Sequence, residues 1–549
     1  MNAFLEALRW NLETKADTLF CRQISAVGEV TISWRELAEA MGRFGGAYRA
    51  LDPGIGGQIL IFLRHVPDLY GSFFGAMASG FTPAFLPCAS PRQDQKIYWG
   101  SHQELLSKVK PVAIVTDSDV LAEMQSGGLS LEGIPVILAD TLCASELTFA
   151  DVPETAIGLL QHSSGTTGLK KGVALSYKSI VAQLESYAAS IDLSQNDVIV
   201  SWLPLYHDMG LIACMVMPAY FGVPVVHIDP FWWVGRPASL LDAIVGCGGT
   251  LCWLPNFAFE HLSSTVGRSA ANYDLSGVRA FINCSEPVKA ATFEKFAAAF
   301  APSGVTANQL QCCYAMAETV FAISQTELGI APAQIRVSTA SLERGQIPQL
   351  SATGVLLLET GTPIVGITVE TVDESRNLLP LGTVGEIRIS GDFIFTSYNC
   401  DPDTTAGRLT DGYYYSRDIG FLRDGKLYVL GRNDDLIIIN GRNLYAHEIE
   451  SSMAAITGLK PGRAVAIAVF DERVGSSTLV VLAECVTGAE NKQDIKRDIT
   501  NQILSTFEVT PRAIEILREG QLIKTTSGKI SRSENLKRYL ERTSGEANI

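Results

Sequence analysis

Short apolar runs alternate with stretches of helical hydrophobic spacing through about residue 330 of the chain. Segments 177–191 and 237–246, for example, carry apolar side chains at the spacing of one helix face. The apolar runs typical of buried strands lie at 58–63, 112–116, 134–139, 198–203, 223–228 and 278–284. This alternation predicts an α/β fold in which mostly parallel sheets are covered by helices.

The pattern changes after Leu350, where apolar runs separated by turn residues predict a β-rich subdomain. Its strands are expected at 365–372, 385–390 and 426–429. A last unit has candidate strands at 436–439, 464–469 and 479–485 and candidate helices near 446–455 and 491–506. Charge interrupts the apolar pattern at 432–436. We therefore predict an N-terminal domain at 1–432, with two mostly parallel α/β subdomains and the β-rich one, and a small mobile α+β lid domain at 433–549.

One uncharged stretch, residues 209–228, approaches the length of a membrane span. It contains Pro218, Gly222 and Pro224, so a buried helix followed by a strand is a better interpretation than a spanning helix. We expect no stable membrane insertion.

Composition narrows the function classes. The chain has 549 residues, more than one ordinary core, and its 47% hydrophobic and 18% charged residues are typical of globular proteins. A net charge of −15 argues against a nucleic-acid binder, which needs clustered Lys and Arg. The eleven cysteines include no C-x-x-C pair, and the N-terminus has no secretory apolar core. These features favour reduced thiols and a cytoplasmic location.

Two loops have the composition of a polyphosphate site. Residues 163–173 contain three glycines, four hydroxyl side chains and two adjacent lysines, which suits phosphate but is also found in a solvated turn. The spacing of Gly165 and Gly168 excludes a Walker P-loop. A second basic Ser/Thr/Gly loop lies at 524–532. Residues 420–427 match the P-loop spacing without its final hydroxyl, and Asp424-Gly425 there predicts a hairpin turn.

These loops are two of seven segments that together resemble the adenylate-forming superfamily of acyl-CoA synthetases, luciferases and peptide synthetase adenylation domains. In chain order the segments resemble the family's phosphate loop (163–172), acyl-site segment (YHDMGL, 206–211), adenine segment (NCSEP, 283–287), Y-G-x-T-E motif (YAMAET, 314–319), T-G-D motif (SRD, 416–418), hinge (GRNDD, 431–435) and catalytic loop around Lys529. The match covers nearly the whole chain.

Within the superfamily the chain is most similar to fatty acyl-AMP ligases. LPLYHDMGL, LPNFAFEHL, YAMAET and DDLIIINGRNLYAHEIE resemble their strings, and a stretch near 338–364 resembles their characteristic insertion. The resemblance implies activation of a fatty or other apolar acid with ATP, then transfer to the phosphopantetheine thiol of a separate acyl carrier protein. An acyl-CoA ligase and a non-catalytic adenylate-binding protein stay open as alternatives.

The resemblance also implies residue roles. Lys529 would bridge the carboxylate and the α-phosphate, and Glu318 would hold Mg²⁺, since that metal prefers carboxylate oxygen beside phosphate. Asp418 would accept hydrogen bonds from the ribose hydroxyls. Arg432 would reach ribose or phosphate, or form only a salt bridge at the hinge. Further nucleotide-binding candidates are Ser163, Ser164, Gly165, Thr166, Thr167, Gly168, Lys171, Ser285, Glu286, Pro287, Tyr314 (stacked on adenine), Ala315 and Met316.

The acyl site is expected near His207, which we group with the catalytic residues as a wall or gate. A general base is not required there, because the attacking carboxylate is already ionised. Candidate tunnel residues, which are equally compatible with an ordinary core, are Met209, Phe231, Trp232, Trp233 and Phe257. The seven histidines show no ligand spacing, so no metal other than Mg²⁺ is expected.

Three departures from the family pattern stand out. Ala315 replaces a glycine, Ser416-Arg417 replace Thr-Gly, and the phosphate loop opens HSSGTTG. These changes leave the identity of the acid more open than the reaction. Asp434 lies at the expected hinge, where a short polar linker can absorb the dihedral changes of domain rotation.

Overall fold

The computed structural model of the protein describes residues 1–51, 56–89, 95–163, 171–285, 288–439, 442–454, 456–471, 476–486, 492–507, 509–524 and 530–546. No helix among these residues is both long and apolar enough to cross a bilayer.

The first 330 residues form the α/β part of the molecule. Its strands are β1 Leu19–Ser25, β2 Gly28–Ser33, β3 Gln58–Phe62, β4 Thr82–Phe85, β5 Ala113–Thr116, β6 Val136–Leu138, β7 Ile157–Ser163, β8 Lys171–Ser176, β9 Ile199–Ser201, β10 Val225–Ile228, β11 Leu251–Leu254, β12 Ala280–Asn283, β13 Leu310–Ala315 and β14 Ala322–Gln325. Its α-helices are α1 Ala3–Thr14, α2 Trp34–Arg49, α3 Asp68–Ala78, α4 Gln95–Val109, α5 Ser118–Ser126, α6 Tyr177–Ser190, α7 Met217–Phe221, α8 Pro230–Gly235, α9 Ala238–Cys247, α10 Asn256–Thr265 and α11 Ala290–Phe300.

The β-rich part follows. Its strands are β15 Gln334–Val337, β16 Val355–Leu358, β17 Thr362–Pro363, β18 Ile367–Val372, β19 Gly385–Gly391, β20 Ser397–Tyr398, β21 Leu409–Thr410, β22 Tyr413–Arg423 and β23 Lys426–Arg432, with helix α12 at Pro402–Arg408. The C-terminal region adds β24 Leu436–Ile439, β25 Arg442–Tyr445, β26 Leu459–Asp471, β27 Ser476–Cys485 and β28 Ala513–Leu517, with helices α13 Ala446–Ser452, α14 Lys492–Phe507 and α15 Arg532–Glu546.

Two sheets with parallel centres confirm the predicted fold class. Within the described residues, one sheet has the order β4-β3-β5-β6 and is parallel throughout. The other has the order β17-β14-β13-β12-β11-β9-β10-β1-β2, parallel from β13 to β1 and antiparallel at both ends. Continuous apolar runs such as Leu251–Leu254 are fully buried, as strands covered on both faces require.

Residues 209–228 form a buried helix and a strand, as predicted. The helix begins as a π-helix at Met209–Val216, continues as α7 and ends at Gly222, whose φ of 67° places it in the left-handed region. The strand is β10, buried at every position. The three residues that argued against a spanning helix therefore lie in the second helical segment and the turn to β10.

Smaller sheets connect the α/β and β-rich parts. β7 and β8 form a hairpin that pairs with β20, and β18, β19, β22 and β21 form an antiparallel sheet with β23 on β22. The predicted hairpin at 424–425 is confirmed, because Arg423 pairs with Lys426 and both turn residues have positive φ. The segment expected as an insertion contains a 3₁₀ turn at Thr339–Leu342 and β16, which pairs with β15.

Separate hydrophobic cores lie on the two sides of residue 432. One continuous cluster extends from Phe4 to Leu427, while a second, from Ile437 to Val509, belongs to the C-terminal region. Tyr445 joins the two regions by packing in a third cluster with Phe421 and Leu430. The division of the chain at 432 stays a prediction.

Candidate active site

The ends of two neighbouring parallel strands form one wall of the candidate site. β12 and β13 pair in parallel, so both end at the same edge of the sheet. Ser285 follows β12 at that edge, and Tyr314 and Ala315 close β13. Ligands of open α/β sheets bind outside the carboxyl ends of the strands. The fold therefore brings together these three predicted nucleotide-binding residues, with Met316 directly after them.

Two of the other predicted residues contact the carboxylate of Asp418. Tyr314 donates its hydroxyl hydrogen to Oδ2 at 2.5 Å, and Arg432 Nε lies 3.1 Å from Oδ1. The register of β22 and β23 places Asp418 directly opposite Arg432. Ser416 fixes the backbone beside Asp418, because its Oγ accepts the Asp418 N–H at 3.0 Å and donates to the Ile387 carbonyl. The salt bridge left open for Arg432 is therefore present, and its partner is the predicted ribose-binding carboxylate.

Burial controls the protonation of this cluster. It raises the pKa of Asp418, while the nearby Arg432 guanidinium opposes that shift. Burial and the Asp418 carboxylate both raise the pKa of Tyr314 far above its ordinary value, so its hydroxyl stays protonated and acts as the donor. The pKa of Arg432 is raised chiefly by Asp418, with a further contribution from Glu318. Glu318 is thus electrostatically part of the same site.

Glu318 lies on a single 3₁₀ turn, Ala317–Thr319, directly after β13. Its Oε1 accepts a hydrogen bond from the Tyr398 hydroxyl at 2.6 Å, and its backbone carbonyl accepts the Phe395 N–H at 2.8 Å. Sequence reasoning missed Tyr398. Its contact with Glu318 spans 80 residues, and no local periodicity signals such a contact.

Three non-glycine residues near the site have left-handed backbones. The φ angles are 73° at Ser285, 64° at Val320 and 64° at Arg417. Such angles cost energy for residues with a Cβ, most of all for a β-branched one, and they concentrate at functional sites. Arg417, one of the departures from the family pattern, donates its N–H to Glu386 Oε1 at 2.9 Å. The residue replacing a family glycine is therefore held by a specific hydrogen bond.

The predicted phosphate loop connects β7 to β8. The two strands are antiparallel and Ser163 pairs with Lys171, so the two ends of the loop lie side by side. Lys171 Nζ lies 5.3 Å from the centre of the Tyr398 ring. The other loop candidates and several further predicted residues lie outside the described part of the chain: Ser164, Gly165, Thr166, Thr167, Gly168, Glu286, Pro287 and Lys529.

His207 lies just before the π-helix. Its Nδ1 contacts Asp208 Oδ1, and its backbone N–H donates to the Pro204 carbonyl. Asp208 also accepts the Met209 N–H and caps that helix. The Asp208 carboxylate therefore orients the imidazole and starts the helix, and the predicted role of His207 in the acyl site stays a prediction.

The aromatic residues expected in an acyl tunnel separate into two groups. Trp233 is fully buried and stacks on Trp202 with ring centres 3.8 Å apart, and Phe257 packs edge-on against Trp202 at 5.8 Å. Met209 is buried as well. Phe231 is 63% exposed and Phe257 is 37% exposed, and the assignment of these side chains to an acyl tunnel stays a prediction.

A charged network lies on the C-terminal side. Arg532 Nη1 lies 2.6 Å from Asp435 Oδ1, at the expected hinge, and Nη2 lies 2.7 Å from Glu450 Oε2. Burial raises the pKa of Glu450, and the Arg532 charge opposes this. Gly431, the residue before Arg432, passes so close to His447 and Tyr445 that a Cβ there would lie 2.8 Å from each ring. The chain that enters the expected hinge thus contacts the C-terminal region directly.

The residues around Glu318 suit Mg²⁺ bound together with phosphate. No group of three or more His, Cys, Asp or Glu side chains within the described ranges could hold a metal alone. A magnesium ion beside a polyphosphate needs only one or two carboxylates, because phosphate and water supply its other ligands. Tyr398 donates one hydrogen bond to Oε1 of Glu318, so the carboxylate retains lone pairs that could bind the ion.

Comparison with known proteins decides the family. A family model described as AMP-binding enzyme matches residues 8–399. The chain belongs to the AMP-binding enzyme family. A long-chain-fatty-acid–AMP ligase of Mycobacterium bovis, FadD26, is 30% identical over 85% of this chain and 84% of its own. A 4-hydroxyphenylalkanoate adenylyltransferase of Mycobacterium marinum is also 30% identical, over 85% of this chain and 79% of its own. This member of the AMP-binding family is an ATP-dependent ligase.

Solved structures show the fold of the AMP-binding family independently. One from a study of fatty acyl-adenylate ligases of E. coli and L. pneumophila superposes with a TM-score of 0.91 at 24% identity, covering 99% of this chain and 98% of that chain. The A-PCP structure of McyG with phenylalanyl-adenylate superposes with a TM-score of 0.85 at 21% identity. This match covers 100% of this chain and 84% of that chain.

Proposed function

We propose that this ligase joins an apolar, fatty carboxylic acid to ATP and then transfers the acyl group to an acyl carrier protein. The observation that carries the proposal is the cluster of Tyr314, Asp418 and Arg432, with Glu318 electrostatically coupled to it. These residues come from separate strands and match the nucleotide-handling motifs of the family. Among the relatives reported above, FadD26 has a name that states both a substrate class and a reaction, long-chain-fatty-acid–AMP ligase.

In the first half-reaction a carboxylate oxygen of the acid attacks the α-phosphorus of ATP. A P–O bond to the acid forms, the P–O bond to the β-phosphate breaks, and pyrophosphate leaves. Two anions must approach each other, so fixed positive charge aimed at the phosphates is the main contribution of the protein. Lys171 lies near the Tyr398 ring and Arg432 beside the Asp418 carboxylate, and Lys529 is the candidate for the α-phosphate itself. Mg²⁺ held by Glu318 would neutralise further charge.

Asp418 is suited to hold the ribose. An ionised carboxylate is purely an acceptor with about four lone-pair directions, and Tyr314 and Arg432 fix its orientation without using all of them. Two ribose hydroxyls could therefore donate to it. Burial raises the pKa of this carboxyl, and the Arg432 charge opposes that shift and so favours the ionised form.

The second half-reaction transfers the acyl group to a thiol. The phosphopantetheine thiol loses its proton to solvent and its sulfur attacks the acyl carbon. A C–S bond forms, the bond from the acyl carbon to the phosphate oxygen breaks, and AMP leaves with that oxygen. We propose a carrier protein as acceptor because the named relatives are AMP ligases and an adenylyltransferase. Free CoA is the alternative acceptor.

A two-stage assay tests the proposal. Pyrophosphate exchange into ATP would be measured over a panel of acids, from short and ring acids to long-chain fatty acids. The acids that support exchange would then be incubated with either CoA or a phosphopantetheinylated carrier protein, and the products separated. We expect exchange with long apolar acids and thioester on the carrier protein. Exclusive formation of acyl-CoA would establish the alternative, and no exchange with any acid would refute adenylation.

A further inference from the structure

We propose that Tyr398 is a positioning residue that fixes the Glu318 carboxylate and couples it to the strand leaving the phosphate loop. This inference rests on the proposed function, in which Glu318 holds the magnesium ion of MgATP. Tyr398 matched none of the sequence motifs, and its place in the site follows from contacts across the fold.

The first step is the short strand β20. It pairs antiparallel with β8, with Tyr398 opposite Val173 and Ser397 opposite Ala174. Backbone hydrogen bonds continue the pairing at both ends, from Thr396 N–H to the Ala174 carbonyl and from Asn399 N–H to the Gly172 carbonyl. β8 begins at Lys171, where the phosphate loop ends. β20 is therefore fixed to the returning end of that loop.

The second step is the contact of this segment with Glu318. Phe395, two residues before β20, donates its N–H to the Glu318 carbonyl at 2.8 Å, and the Tyr398 hydroxyl donates to Oε1 at 2.6 Å. One segment thus holds both the backbone and the side chain of Glu318. Among the described residues, the Tyr398 hydroxyl is the side-chain donor to this carboxylate.

The third step concerns the surroundings of Tyr398. The Tyr398 residue is only 4% exposed. The Lys171 ammonium lies 5.3 Å from the ring centre, within range of a cation–π contact. The ring therefore contacts a cation of the loop while the hydroxyl orients the metal-binding carboxylate.

Loss of the hydroxyl should affect metal-dependent binding specifically. In Tyr398→Phe the ring and its packing remain, but the carboxylate of Glu318 loses the donor that fixes Oε1. A hydrogen bond to a charged group corresponds to about a tenfold change in an equilibrium constant. We expect ATP binding in the presence of Mg²⁺ to weaken about tenfold, while binding in excess EDTA stays within about twofold.

The experiment is calorimetric titration of ATP into the full chain, without the acid, over a Mg²⁺ series and in EDTA. Tyr48→Phe is the matched control, because Tyr48 is also buried and its hydroxyl donates to the Ser72 carbonyl at 2.9 Å, in contact with α3. It should bind as the wild type does. Equal binding of Tyr398→Phe and wild type in Mg²⁺, or equal weakening with and without Mg²⁺, would overturn the inference.

A double-mutant cycle with Glu318→Gln keeps the test decisive if Tyr398→Phe loses stability. Once the carboxylate is absent, the Tyr398 substitution should change Mg²⁺-dependent binding by less than about twofold. Additive effects of the two substitutions would contradict the proposed coupling. Failure of the proposed function is distinguishable, because it would appear as absence of acid-dependent pyrophosphate exchange in the wild type.

Discussion

The two regions that meet at residue 432 hold their parts of the candidate site by different means. On the N-terminal side, Glu318 and Asp418 are fixed by strands, backbone hydrogen bonds and a core that extends from Phe4 to Leu427. On the C-terminal side, a smaller separate core is linked to Asp435, in the expected hinge, by an ion pair of Arg532, which also pairs with Glu450. Fixed geometry suits nucleotide binding, and exchangeable ion pairs suit a region that is predicted to change its pose.

The largest effect is expected from a substitution in the C-terminal region that slows catalysis but leaves ATP binding by the N-terminal region unchanged. Lys529→Ala should slow pyrophosphate exchange about 100- to 1000-fold, because the positive charge proposed to act on the α-phosphate is lost. ATP affinity, measured by calorimetry, should change little, since the proposed nucleotide-binding residues other than Lys529 belong to the N-terminal region. Lys524→Ala, an exposed lysine at the start of the same loop, is the control and should retain exchange. Full exchange by Lys529→Ala would remove that lysine from the mechanism.

Arg532→Ala should destabilise the C-terminal region alone. Glu450 stays largely buried but loses the cation that pairs with it. Breaking such a pair lowers the free energy of unfolding by about 3 kcal/mol. Hydrogen exchange should become faster in 442–546 and stay unchanged in β12 and β13. Arg497→Ala, which removes the exposed pair with Asp494, should leave both regions as they are. Equal destabilisation of both regions would show that they do not have independent cores.

Asp418→Asn should lower kcat/KM for ATP without unfolding the N-terminal region. The amide cannot pair with the Arg432 charge and offers ribose a weaker acceptor, so kcat/KM for ATP should fall about 30-fold. Asp424→Asn, at the exposed hairpin turn of the same strand pair, is the matched control. If both variants behave alike, the carboxylate at 418 has no special part in binding.

Acid should affect the N-terminal core more than the C-terminal one. Burial lowers the pKa of His227 to about 3, from an ordinary value of 6.5. Below about pH 6.5 the histidine therefore takes up a proton in the unfolded chain but not in the folded chain. The free energy of unfolding decreases as the pH is lowered from about 6.5 towards 3. At pH 5 this amounts to about 2 kcal/mol.

In the C-terminal region two shifts oppose each other. The pKa of His447 is lowered to about 3 by burial, which removes stability as pH falls. Burial raises the pKa of Glu448 to about 7, so this carboxyl contributes stability below about pH 4.5 that is lost as pH rises through 7. Region-resolved hydrogen exchange at pH 7 and pH 5, corrected for intrinsic rates, should show the larger loss around β10. A larger loss around α13 would reverse the comparison.

The smallest effect is expected at the hinge. Asp434→Pro fixes φ near −65° and should slow transfer to the thiol about tenfold, leaving exchange intact. Single-turnover transfer from preformed acyl-AMP measures this step, with Asp434→Ala as the control for the side chain. Unimpaired transfer in the proline variant would contradict the assignment of residues 433–435 as a hinge.

Local patterns predicted much of the fold. The helix expected at 177–191 is observed at Tyr177–Ser190, and the strand expected at 436–439 is observed at Leu436–Ile439. Such elements are set by the periodicity of their own residues. The π-helix at Met209–Val216 was not predicted, because its uniformly apolar sequence carries no periodicity that distinguishes helix types.

The site was predictable only in part, for a related reason. Motif spacing identified Tyr314, Asp418 and Arg432, and the structure brings them into contact, although their roles stay predictions. Tyr398 was missed because β20 is two residues long and meets β8 more than 200 residues away. Exposure also cannot be obtained from residue type, and two of the tunnel candidates, Phe231 and Phe257, are partly exposed.

Acid-dependent pyrophosphate exchange by the purified chain tests the central claim most directly. The fixed N-terminal site should bind MgATP and a fatty acid together, so exchange should require the acid and Mg²⁺, persist in Asp434→Pro and be almost lost in Lys529→Ala. Exchange that is independent of any acid, or absent with every acid while the protein is folded and binds ATP, would contradict the account.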